Sequence, residues 1–137
     1  MRVFFDASAL VKRYVDEPGS DTVSAILEAA EVLIVSALCL PECVSAFQRM
    51  ASEGLLSHQE YVWLKDAVLA DLADAIVCHV VPEVVDGAVE CLERHPVRTL
   101  DAIQIACARA VTADLFVTAD RRQGAAARGE GLEVRVV

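Results

Sequence analysis

The chain has 137 residues, about one domain's length, with 55% apolar residues and a formal charge of −9. Such a composition can bury a sizeable core, which excludes disorder as the main state. The longest near-apolar run, Val32 to Leu40, is about half of what a bilayer-spanning helix needs, and no small-residue cleavage site follows an early apolar stretch. Neither a membrane span nor a signal peptide is expected.

Arg2–Phe5, apolar on consecutive residues from Val3, predicts a first strand. Ala7–Tyr14 predicts a short helix that stops before the turn signal Asp16-Glu-Pro-Gly19. Ser20 or Asp21 is placed to cap a second helix reaching Ala30, before a second strand at Val32–Val35. A long helix runs from Leu38 to Ser52 and stops at Gly54. Ser57 with Glu60 three residues on forms a capping box for a helix ending near Ala73. A third strand is expected over Ala75–Val80, and Pro82 opens a helix ending near Arg94. Thr99 is placed to cap a helix reaching Val111. Leu115–Thr118 predicts the fourth strand. Asp120 opens a short last helix that Gly124 is expected to interrupt, and Leu132–Val137 predicts the last strand. Runs apolar on consecutive residues suit strands covered on both faces. The order β-α-α-β-α-α-β-α-α-β-α-β therefore predicts a three-layer α/β/α domain, residues 1–137, with a mostly parallel sheet of four to five strands.

The five cysteines lie in apolar stretches with no CxxC pair, which predicts free buried thiols and a reducing, cytoplasmic compartment rather than a zinc site. A net acidic chain is not a generic nucleic-acid binder. Ten of its 12 basic residues, however, are arginines, the side chain suited to bidentate phosphate contacts.

Most of the 21 acidic residues fit solvated helix faces. Four stand apart by position. Asp6 follows the first strand, Glu42 lies in the opening turn of the helix after the second, Asp101 lies in the first turn of the helix at Thr99, and Asp120 follows the fourth strand. An open parallel sheet gathers such positions on one edge, where ligands bind. Carboxylates converging there raise one another's pKa unless a cation intervenes. Oxygen donors suit Mg²⁺ or Mn²⁺, and a pair of such ions supports in-line phosphodiester hydrolysis. Asp114 precedes its strand and is expected at the opposite edge. His58, His79 and His95 are scattered and are not read as ligands.

Four segments carry a resemblance: Asp6-Ala-Ser-Ala-Leu-Val-Lys12, Pro41-Glu-Cys-Val-Ser-Ala46, Arg98-Thr-Leu-Asp-Ala-Ile-Gln-Ile-Ala106 and Leu115-Phe-Val-Thr-Ala-Asp120. Together they resemble the signature segments of the PIN-domain ribonucleases, the VapC-like toxins in particular. The resemblance implies a metal-dependent endoribonuclease, usually dimeric and held inactive by a cognate antitoxin, with its acids at Asp6, Glu42, Asp101 and Asp120. Ser8 and Thr118 would take the family's small-hydroxyl places. From its position Ser8 is expected to cap the first helix, and Thr118 to bond backbone or a carboxylate. Lys12, Arg13, Arg98, Arg121 and Arg122 lie within a few residues of the acids and are the candidate RNA contacts. Leu55, Leu56, Val62, Leu64, Val68 and Leu69 exceed one narrow helix face, so part of them is expected to meet a second subunit or an antitoxin helix.

Three other readings compete. A receiver-type phosphoacceptor domain would carry adjacent acids after its first strand and a lysine after its last. A DxD phosphatase would carry an acid where Ser8 stands. A catalytically silent binding module of the same fold would keep every acid.

Overall fold

A computed structural model describes all 137 residues. The chain runs β1 (Arg2–Phe5), α1 (Ala7–Tyr14), α2 (Ser20–Ala29), β2 (Val32–Ser36), α3 (Cys39–Ser52), α4 (His58–Ala73), β3 (Ile76–Cys78), α5 (Pro82–Arg94), α6 (Thr99–Ala110), β4 (Leu115–Thr118), α7 (Arg121–Gly129) and β5 (Val134–Val136). All strand pairings are parallel, in the order β3-β2-β1-β4-β5. That order differs from the 2-1-3-4-5 of receiver-like sheets, which removes the phosphoacceptor reading.

Alternation along the strands divides the core in two. Phe4, Ile34 and Phe116 face α5, α6 and α7, whereas Val3, Phe5, Val35 and Val117 face α1 to α4. The result is the expected α/β/α sandwich. Phe4 and Phe116 are register partners on the two central strands, and their rings stack at 5.5 Å. Replacing Phe116 with alanine is expected to cost about 3–5 kcal/mol, read by denaturant unfolding.

The sequence expectations for β3 and β5 are too long at both ends. Each is an edge strand with one partner, and pairing stops where that partner stops: Ser36 opposite Cys78, Thr118 opposite Val136. Neither Ser20 nor Asp21 caps α2. Gly19 holds the N-cap at φ +97°, and the Ser20 hydroxyl instead accepts from the Glu17 N–H and donates to the Val15 carbonyl. Gly124 does not interrupt α7. A Cβ there would stand 2.9 Å from Val136 Cγ2, so the glycine lets α7 lie against β5.

The strand order reverses between β1 and β4, whose C-terminal ends leave a crevice. Asp6 and Thr118 stand on either side of it, joined through the backbone where the Asp6 N–H donates to the Val117 carbonyl at 3.0 Å. Asp114 lies at the far end of β4, accepting from the Arg2 N–H at 2.7 Å, as its position in the sequence predicts.

Candidate active site

Four elements deliver the four acids to one place. Asp6 leaves β1 as the N-cap of α1, Glu42 lies in the first turn of α3, Asp101 in the first turn of α6, and Asp120 is the N-cap of α7. Carboxylates are favoured at all four positions by the exposed N–H groups of helix N-termini. All four line one cavity of about 670 Å³.

The cavity is stiffened from behind. Apart from the cysteines, five polar residues are buried as a whole, Asp6, Ser36, Gln104, Thr118 and Gln123, and all but Ser36 belong to this region. Asp6 Oδ1 accepts from the Ala9 N–H at 3.0 Å, and Ser8 Oγ lies 2.8 and 2.9 Å from the two carboxylate oxygens. Thr118 Oγ1 donates to Asp6 Oδ2 at 3.1 Å. Gln104, one turn beyond Asp101, donates to Glu42 Oε2 at 3.2 Å. Asp120 Oδ1 accepts from the Arg122 and Gln123 N–H groups.

Burial and the charge of neighbouring carboxylates raise the pKa of Asp6, Glu42 and Asp101. Asp6 is pushed up to about 7, first by burial and further by the charge of Glu42, against the hydrogen bonds from Ser8, Ala9 and Thr118. Glu42 is raised by burial and by Asp101, and Asp101 by burial and by Asp120. The repulsion runs in one chain, from Asp120 onto Asp101, from Asp101 onto Glu42 and from Glu42 onto Asp6.

Nowhere in the chain are three or more His, Cys, Asp or Glu side chains gathered tightly enough to hold a metal ion as they stand. The donor set nonetheless fits a hard divalent cation. It is all oxygen, and Mg²⁺ keeps several waters and takes one or two carboxylates directly, which a ring of acids around an open hollow permits.

Residues 3–129 match the family model of the PIN domain. The chain belongs to the PIN-domain family. PIN domains are generally nucleases. No curated protein sequence gives a match. Among solved structures, the chain is similar to VapC20 of Mycobacterium tuberculosis, a sarcin–ricin loop cleaving toxin, at TM-score 0.71 and 21% identity over 90% of this chain and 94% of that one. It is similar to FitAcB of Neisseria gonorrhoeae at TM-score 0.71 and 15% identity over 96% and 95%. It is also similar to VapBC2 of Rickettsia felis, solved on a DNA fragment from its promoter, at TM-score 0.70 and 12% identity over 100% and 99%. At these identities the likeness is one of fold.

Around the site of this PIN domain the basic residues sort into two groups. Arg98 lines the acid cavity, and with Arg121 and Arg122 it lines an adjoining hollow of about 580 Å³ that shares Asp101 and Asp120. Arg49, which the sequence reading missed, reaches the same cavity from α3. It lies seven residues past Glu42, two helical turns along one face, so helix periodicity alone would have located it. None of these four is in an ion pair.

Of the expected RNA contacts, Lys12 and Arg13 line neither hollow. Lys12 Nζ donates to the Pro18 carbonyl at 2.6 Å and pairs with Glu17. Arg13 Nε donates at 2.6 Å to Asp71, which also accepts from the Tyr14 hydroxyl. Both serve the α1–α2 and α1–α4 contacts instead. Lys12→Ala and Arg13→Ala are each expected to leave RNA affinity within about twofold of wild type by fluorescence anisotropy. Two caps are corrected as well. Asp6, not Ser8, caps α1, and Ser8 bridges Asp6 to the Ala119 N–H at 3.0 Å across the crevice. Thr99 is the first residue of α6, behind an N-cap at Arg98 that makes no side-chain bond.

Proposed function

We propose that this PIN domain is a divalent-metal-dependent endoribonuclease, the toxin of a toxin–antitoxin pair. The observation that carries the reading is the convergence of Asp6, Glu42, Asp101 and Asp120 on one cavity, three of them with raised pKa values. Such a site gains by taking up a divalent cation. Asp6, Asp101, Asp120 and Glu42 would hold Mg²⁺ or Mn²⁺. The chemistry such ions supply is a water of lowered pKa and neutralisation of charge on the scissile phosphate.

The protein's own part is placement. Ser8 at the cavity wall and Thr118 buried behind it fix the Asp6 carboxylate, and Gln104 fixes Glu42. Arg98, Arg121 and Arg122, with Arg49 opposite, hold the RNA phosphates. An otherwise acidic protein therefore presents four unpaired arginines where the substrate enters, which positions RNA without reading its sequence.

Partners follow from the remaining surface. Part of the apolar excess of residues 55–69 is core: Val68 is fully buried, and Leu56 and Leu64 pack against the core cluster to which it belongs. Leu55, Trp63 and Leu69 stay exposed, and α5 carries a second exposed stripe at Val81, Val85, Val89 and Leu92 that the sequence reading did not single out. These two faces are available to a second copy of the chain and to an antitoxin segment. No helix is long and apolar enough to cross a membrane. Five free cysteines fit the reducing cytoplasm in which RNA is met.

The test is to induce the wild-type chain and Asp101→Asn in cells and map cuts on total RNA. Discrete cuts with wild type alone, reproduced in vitro with Mn²⁺ and stopped by EDTA, support the reading. Intact RNA in the presence of Mn²⁺ would instead favour the silent binding module.

A further inference from the structure

Thr118 Oγ1 is fully buried and has more neighbours than its single proton can serve. It accepts from the Asp120 N–H at 3.0 Å, and lies 3.1 Å from Asp6 Oδ2, 2.7 Å from Gln123 Oε1 and 3.4 Å from Ser8 Oγ, whose own proton has the closer Asp6 oxygens at 2.8 and 2.9 Å. A hydroxyl has one proton and two lone pairs, and the Asp120 N–H occupies one of the pairs. Only one of the two acceptor oxygens can take the proton. The other would meet the remaining lone pair.

Gln123 holds the resolution. Its side chain is fully buried, and its Nε2 has no partner. A buried N–H without an acceptor is rarer than an under-used carbonyl. The two ends of a carboxamide are nearly the same size, so half a turn about its last torsion exchanges them at no steric cost. Nε2 then donates into the free lone pair of Thr118, and the Thr118 proton goes to Asp6. An ionised Asp6, the form that binds a cation, has no proton with which to run the chain the other way. Gln104 already stands in the equivalent arrangement on the other side of the cavity: its Nε2 donates to Glu42, and its buried Oε1 is the unpaired atom.

From this juxtaposition we infer that Gln123 is a positioning residue for the cation site, donating to Thr118 so that Thr118 donates to Asp6. The relay rests on the cation-binding reading above and goes beyond it. It fixes which lone pairs of Asp6 are consumed by the protein and which face the cavity. Gln123 is three residues beyond Asp120, whose carboxylate accepts from the Gln123 backbone N–H at 3.2 Å, so one turn of α7 serves two acids.

The experiment is Mn²⁺ titration by calorimetry of wild type, Gln123→Met and Gln123→Leu (both lacking the donor), Thr118→Val and Thr118→Ser. Thermal unfolding of the same metal-free proteins is read alongside. Removing a partner that orients a metal ligand weakens metal affinity by about 10- to 100-fold. That loss is expected for Gln123→Met, Gln123→Leu and Thr118→Val, with Thr118→Ser near wild type. The metal-free Gln123 variants are expected to melt no lower than wild type, because the amide they lose always leaves one buried polar atom unpaired. Wild-type Mn²⁺ affinity in both Gln123 variants would overturn the relay while leaving the cation site standing. No Mn²⁺ uptake by wild type would remove the site and the relay together.

Discussion

Asp6→Asn is expected to abolish RNA cleavage, by at least about 10³-fold, while making the metal-free protein more stable at pH 8. The two effects have one cause. The Asp6 carboxyl is raised from 3.8 to about 7, chiefly by burial at the end of a central strand. Its protonated form is the one the fold prefers. The associated stability is fully present below about pH 4, is lost as pH rises through 7, and is absent above. A difference of this size corresponds to roughly 4 kcal/mol, an upper figure for a site that can admit water. Asparagine carries no charge to desolvate and keeps an oxygen for the Ala9 N–H, and half a turn of the Gln123 carboxamide lets Oε1 take the Thr118 proton. The variant should therefore match wild type near pH 4 and exceed it increasingly toward pH 8 in thermal melts. Saturating Mn²⁺ should close the pH 8 gap by stabilising wild type alone. A pH-independent difference between the two proteins would contradict the assignment of burial as the cause.

The second large effect concerns substrate. Neutralising Arg98, Arg121 and Arg122 together is expected to lower RNA affinity by about a hundredfold at 0.1 M salt. Each phosphate contact to a single strand contributes about 0.7 to the slope of log affinity against log salt, so the triple variant should flatten that slope by about 2. Measured on the cleavage-dead Asp101→Asn background, the effect is one of binding alone. Lys12→Ala with Arg13→Ala is the matched control, removing two nearby charges whose partners are Glu17 and Asp71. Equal losses from the two sets would mean that general charge, not the hollow beside Asp101 and Asp120, holds the RNA.

The contrast between those two sets marks where sequence reasoning stops. Strands β1 and β4 are legible to the residue, because central strands covered on both faces carry consecutive apolar residues, here Val3 to Phe5 and Leu115 to Val117. Asp6 is legible because a carboxylate directly after such a strand is costly without a purpose, and the other three by their places at helix N-termini on the same sheet edge. The fate of Arg13 is not legible. Its partner Asp71 is 58 residues away on α4, and only the packing of α4 against α1 brings them together. Lys12 is lost more locally, to a carbonyl in a turn whose backbone path the sequence does not specify. The Ser8 hydroxyl fits a cap by position alone. In the fold Asp6 already occupies the cap, which frees Ser8 to cross the crevice. Gln104 and Gln123 read as ordinary polar helix residues, and their burial follows only from α6 and α7 closing over the sheet. Helix spacing from Asp101 and Asp120 points to both, since each lies one turn beyond an acid.

The central claim is that a divalent cation binds where these four acids meet. Mn²⁺ broadens NMR signals of nearby nuclei, so an amide spectrum titrated with substoichiometric Mn²⁺ tests it residue by residue. The chain supplies its own decoy, a hollow of about 550 Å³ bordered by Glu83, Asp86 and Glu90 on α5. The account predicts broadening first at the amides of Asp6 to Ser8, Glu42, Asp101 and Asp120, and its disappearance in Asp6→Asn. Broadening that begins on α5, or that survives unchanged in Asp6→Asn, would contradict it.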